Sequence, residues 1–139
     1  MKKYAFALLF FLVLSCGCSG AWASGKEAVT PPVGSALRCA ILAPLRSYLR
    51  ENLQVEAVFV VRWLKVKDGW AWIETDPQSK DGKARYEPFH ALLKRGDTVW
   101  AILEIPPMEE DSPPVDGAYF RRLVEMHPGL PPEIFHWEK

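Results

Sequence analysis

The chain has 139 residues, with 17 basic and 17 acidic side chains and three histidines, so its formal charge is zero. That balance carries no basic excess or stripe of the kind that phosphate-backbone binding leaves, and nucleic acid is excluded as an expected partner. Three cysteines do not supply the even set within the folded part that a disulfide framework needs.

The chain opens with a leader pattern over 1–23. Lys2 and Lys3 precede an apolar run from Ala5 to Leu14, and small residues follow, ending in Ala21-Trp22-Ala23. A positive start, a short apolar centre and a small-residue cleavage site describe a secretory signal peptide. The run is shorter than the roughly 20 apolar residues that span a bilayer, and no later stretch is long enough. Two processing routes fit. Cleavage after Ala23 starts the mature chain at Ser24 and leaves Cys39 as its one thiol. Alternatively, Val13-Leu14-Ser15-Cys16 resembles the lipobox of bacterial lipoproteins, which implies a diacylglycerol thioether on Cys16, with Cys18 and Cys39 retained and able to pair. Membrane attachment is expected only through that lipid. Either route removes Lys2 and Lys3 and leaves the mature chain near −2. The expected location is exported, periplasmic or extracellular.

Residues 24–35, with Gly25, Pro31, Pro32 and Gly34, lack apolar periodicity and read as a flexible tether. A single domain follows over 36–139. Its first element is a helix from Ser35, the N-cap, to Leu53, with Leu37, Ile41, Leu45 and Leu49 at four-residue spacing and a kink expected at Pro44. Cys39 is expected as a small buried hydrophobe.

Val55 to Val66 is rich in β-branched and aromatic residues and reads as a strand. Asp68-Gly69 is a type I′ hairpin dipeptide, and Trp70 to Thr75 is the return strand. A two-residue turn there sets Lys67 opposite Trp70, Val66 opposite Ala71, Lys65 opposite Trp72, Leu64 opposite Ile73 and Trp63 opposite Glu74. One face then carries Val58, Val60, Leu64, Val66, Ala71 and Ile73, the expected core. The other carries Phe59, Trp63, Lys65, Lys67, Trp70, Trp72 and Glu74.

Asp76 to Lys83 reads as a polar loop. Tyr86 to Leu93 and Thr98 to Ile105 form a second hairpin, its last strand apolar on both faces and so expected at the centre of the sheet. Pro106 to Val115 breaks the pattern with four prolines and the acidic run Glu109-Glu110-Asp111. Asp116 caps a short helix, Gly117 to Met126, which His127-Pro128-Gly129 ends. A tail with Ile134, Phe135 and Trp137 is expected to pin itself to the body.

The fold class is therefore α+β: an N-terminal helix on a curved antiparallel sheet of four or more strands, with a short C-terminal helix. This order resembles the cystatin-like and nuclear-transport-factor-2-like architectures. From Leu37 to Ile105, "FVVRWLKVKDGWAWIETDPQSKDGK" and "ALLKRGDTVWAILEI" also resemble small exported bacterial proteins of unknown function, a likeness that implies no activity.

Chemistry is sparse. His90, His127 and His136 are too scattered for a metal motif, with His90 read as solvent-facing and His127 as a helix-end residue favoured by the dipole. No nucleophile motif and no cofactor motif is present. Arg95-Gly96-Asp97 is accounted for by a hairpin turn. The constellation that stands out is Arg62, Trp63, Lys65, Lys67, Trp70 and Trp72, aromatics interleaved with cations of the kind enriched at binding hot spots. These rings either form a platform for a partner or lie beneath the second helix and the tail as a second small core. The leading expectation is a non-enzymatic binding or accessory protein of the cell envelope, its partner a protein or cell-wall component. The alternative is a small hydrolase-like or ligand-sequestering protein whose cleft between helix and sheet gathers groups such as Tyr86, Glu87 and His90.

Overall fold

A computed structural model describes residues 27–137, so the leader, its cleavage site and Cys16 lie outside the described residues. The first element, α1, spans Ala36–Leu53 as one helix that runs through Pro44. Ser35 caps it, its hydroxyl accepting from the Arg38 amide at 3.2 Å. Gln54 closes it in the left-handed region at φ 55°, its N–H returning to the Leu49 carbonyl.

Four strands follow as an antiparallel meander in the order β1 (Val58–Lys67), β2 (Trp70–Gln78), β3 (Phe89–Arg95) and β4 (Trp100–Glu104). Asp68 and Gly69 turn the first hairpin with φ 49° and 76°, and every pairing from Lys67–Trp70 to Trp63–Glu74 is the expected one. The sheet curls only weakly. A last helix, α2, covers Gly117–Met126. Asp116 caps it through one carboxylate oxygen that accepts from the Ala118 and Tyr119 amides at 2.9 and 3.0 Å.

The sheet lies between two layers. On one face α1 buries Ile41, Leu42, Leu45 and Leu49 against Leu64, Val66, Ala71, Ile73, Ala91 and Leu93. On the other face α2 and the C-terminal tail bury Tyr119, Phe120, Leu123, Ile134 and Phe135 against Trp70, Trp72 and Leu92. A short turn of 3-10 helix, Pro132–Ile134, carries the tail across β1.

Several expectations are corrected. The register shifts between Val61 and Trp63, which makes Arg62 the extra residue of a β-bulge. One added residue reverses the in–out alternation beyond it. Phe59 and Val61 therefore pack on the α1 face, while Val58 and Val60 are 44% and 45% exposed instead of lying in the core. β2 runs on through Asp76, Pro77 and Gln78, which the sequence suggested as loop. β4 is an edge strand and not a central one, because short hairpin links keep a meander in chain order; its Val99 flank and Leu103 stay exposed.

The segment expected to be a free tether is held from Val29, whose N–H and C=O bond the Val66 carbonyl and amide at 2.9 and 2.8 Å. Cys39 is exposed, since it lies on the helix face opposite Ile41 and Leu45. His90 is buried rather than solvent-facing, because it sits opposite Glu74 on the face that α2 and the tail cover.

Candidate functional site

The six residues singled out by the sequence share one face of the first hairpin, apart from Arg62 in the bulge. Trp72 and Trp70 are 0% and 6% exposed and belong to the second core. Trp72 meets Phe120 and Phe135 edge-on, each at 5.4 Å between centroids. Lys94 reaches over Trp70 with Nζ 4.0 Å from the ring centroid, and burial there lowers the lysine's pKa against the opposing pull of Asp68.

The half-buried residues of this face hold the chain's own C-terminus. Trp63 donates its indole N–H to the Ile134 carbonyl at 2.8 Å, and its ring lies 4.6 Å from that of His136. Lys67 donates to Glu133 at 2.6 Å, which holds the Glu133 carboxyl below its ordinary range. Lys65 sits 5.9 Å from the Trp63 ring. Arg62 pairs with Asp76 at 3.0 Å across the bulge, both half-exposed. The occupant of this surface is thus the tail of the same chain.

Buried polar groups gather behind it. Glu74 accepts from the Trp72 indole and lies 3.1 Å from Nδ1 of His136, with His90 opposite it in the register. Nearby, Tyr119 donates to Glu104 at 2.7 Å, and Nε2 of His127 is 3.7 Å from the same carboxylate. Burial, reinforced by Glu104, raises the Tyr119 phenol well above its ordinary value. These groups tie α2 and the tail to the sheet. No cluster that could hold a metal ion occurs among the described residues.

The groups expected to furnish a cleft between helix and sheet lie instead at the Pro-rich loop. His90 lines a cavity of about 250 Å³ with the loop from Pro107 to Val115, Glu87 borders an adjoining depression that shares Met108 and Glu109 with it, and Tyr86 lines neither. α1 packs on the sheet through a cluster of buried apolar side chains.

A groove of about 290 Å³ opens between α1 and the start of β1, at the end of the sheet away from the Asp68-Gly69 turn. Leu42, Ala57 and Phe59 give it an apolar floor, and Arg46, Arg50 and Lys80 stand on its rim with Glu56. Arg46 and Arg50 are one helical turn apart and therefore project side by side. Their side chains form no ion pair or hydrogen bond among the described residues, whereas Lys80 pairs with Glu56 at 2.9 Å. The Lys80 hydrogen bond, then its charge and that of Arg50, hold the Glu56 carboxyl below its usual range. Three cations against one carboxylate make the groove electropositive in a chain that is neutral as a whole.

Nothing in the sequence marks this groove, because Lys80 and Phe59 reach it only through the extended β2 and the bulge. No family model, curated protein or solved structure matches the chain.

Proposed function

We propose that this chain is an exported, non-enzymatic binding or accessory protein of the bacterial cell envelope, and that the groove between α1 and β1 is its binding site. The observation that carries the binding reading is the contrast between two sets of polar groups. Those on the second sheet face are engaged in holding α2 and the tail, while the guanidinium groups of Arg46 and Arg50 border an apolar-floored groove whose one carboxylate, Glu56, is already paired with Lys80. A surface that keeps desolvable apolar area beside an excess of positive charge is built to receive something. The export reading rests on the leader pattern of residues 1–23.

The test is to express the full chain in a bacterium, separate cytosol, periplasm and membranes, and measure the intact mass of the recovered protein. The expected product is found in the envelope and starts at Ser24 or at an acylated Cys16. Unprocessed chain confined to the cytosol overturns the location. Loss of a cellular phenotype in the Arg46→Glu/Arg50→Glu variant, with its fold intact, is expected from the binding assignment; full complementation by that variant overturns it.

A further inference from the structure

We infer that the groove takes an extended, acidic peptide segment that adds to the sheet as a strand beside β1; this rests on the binding reading above and names its partner class. β1 is an outer strand of the sheet, and such a strand presents alternate N–H and C=O groups with nothing to bond. The molecule already shows that this edge accepts a strand, because Val29 exchanges both backbone hydrogen bonds with Val66. Continued in register, that pairing would bring Pro31 opposite Leu64. Proline has no N–H to give, and the Pro31 carbonyl is turned instead to the Arg38 guanidinium at 3.1 Å. The pairing stops there, and from Val58 to Val61 the outer edge has no strand partner among the described residues.

The groove runs beside that stretch, with Val58 and Phe59 in its lining and Arg46, Arg50 and Lys80 along its rim. A peptide laid on β1 would give main-chain bonds to the edge and alternate side chains to the groove, the pattern of strand-addition recognition. Charge selects among strands. Lys65 on β1 and the guanidinium pair on α1 repel a basic strand, including another copy of β1, and attract carboxylates, which guanidinium groups bind through two parallel hydrogen bonds. The Leu42, Ala57 and Phe59 floor asks for an aliphatic side chain on the same face of the added strand, two residues from each acidic one.

The experiment uses the protein purified from Ser24 onward and a fluorescein-labelled peptide in which glutamate and valine alternate at every second position, with threonine between them, so that both face the groove; binding is followed by anisotropy and by amide hydrogen exchange. Binding is expected to weaken as salt is raised, and the amides from Val58 to Val61 gain protection. A peptide N-methylated at alternate residues keeps its charge but cannot pair on one edge, and is expected to lose about tenfold or more, as is Arg46→Glu/Arg50→Glu. Far-UV circular dichroism shows that the variant is folded, and Arg46→Lys/Arg50→Lys keeps charge in case reversal unfolds it. Equal binding of the N-methylated peptide, or of the charge-reversed variant, overturns the inference. Dodecyl phosphate is the separating probe. If it binds at the guanidinium pair and the peptide does not, the groove is a binding site and the peptide assignment falls. If neither binds, both fall.

Discussion

Replacing Trp72 by alanine tests whether the second face of the sheet is core. The indole is fully buried, set edge-on between Phe120 and Phe135 at 5.4 Å, and donates to the buried Glu74 carboxylate at 3.1 Å. Truncating a buried tryptophan to alanine costs about 3–5 kcal/mol. Removing a donor from a buried carboxylate adds about 1–2 kcal/mol, at the low end because His136 still faces Glu74. The expected loss is about 4–7 kcal/mol, against a total near 5–15 kcal/mol for a domain of this size. Trp72→Phe keeps most of the apolar area but not the donor and should lose only about 1–2 kcal/mol. Urea unfolding followed by far-UV circular dichroism separates the two, since a slope of about 2 kcal/mol per molar places the alanine midpoint about 2–3.5 M lower or leaves it unfolded. An alanine midpoint within about 0.5 M of the parent, at unchanged slope, would mean that the ring is not packed between layers. Equal losses for alanine and phenylalanine would move the whole effect onto the Glu74 bond and refute the packing argument.

Three further outcomes follow from single contacts. Tyr119 has a phenol raised above 10.0 by burial first and by Glu104 second, so the unfolded chain gives up that proton before the folded one. The stabilisation is complete below pH 10 and is lost as pH rises; Tyr119→Phe should flatten the alkaline fall in urea midpoint, and parallel curves for the two proteins would refute the assignment. Gly69→Ala meets no steric obstacle, its nearest side-chain atom being Arg95 Cβ at 3.7 Å, yet holds φ at 76°. It should cost about 1–2 kcal/mol of unfolding free energy through the backbone alone, and an unchanged midpoint would contradict the left-handed turn. Cys39, on the outer face of α1, should react with Ellman's reagent in the folded protein; a thiol that appears only in denaturant would put it in the core.

The parts of this fold that were legible are those written in neighbouring residues. Ser35 and Asp116 cap their helices because a hydroxyl or carboxylate two or three residues ahead of free amides satisfies them locally. Asp68-Gly69 sets the hairpin because two positive φ values at that point admit little else, and the register through Trp63–Glu74 follows from it. The bulge at Arg62 was not legible: "VFVVRWLKV" is apolar on both sides of it, so the alternation carries no mark of the slip. Nor was the depth of the Trp70–Trp72 face, since a ring beside lysines is equally suited to solvent and to a covering tail. The placement of Phe120 and Leu123 on α2 and of Ile134 and Phe135 in the tail, all far along the chain, decides between them. The edge position of β4 was misread for a related reason: apolar residues on both faces report a strand's composition, not its number of neighbours.

The same unmarked residue shapes the candidate site. Without the bulge, Val58 and Val60 would point at α1, Phe59 would point away, and the groove would lose its aromatic floor. With it, Phe59 joins Leu42 in the groove lining while Val58 and Val60 are left exposed on the opposite face, on a strand that strand order already places at the edge of the sheet. Deleting Arg62 should therefore act at a distance from the charge it removes. The in–out alternation before Trp63 would revert, Phe59 would leave the groove, and peptide binding would fail, whereas Arg62→Ala, which keeps the extra residue and loses only an exposed pair with Asp76, should bind as the parent does. Equal behaviour of the deletion and the substitution would show that the bulge is incidental to the groove.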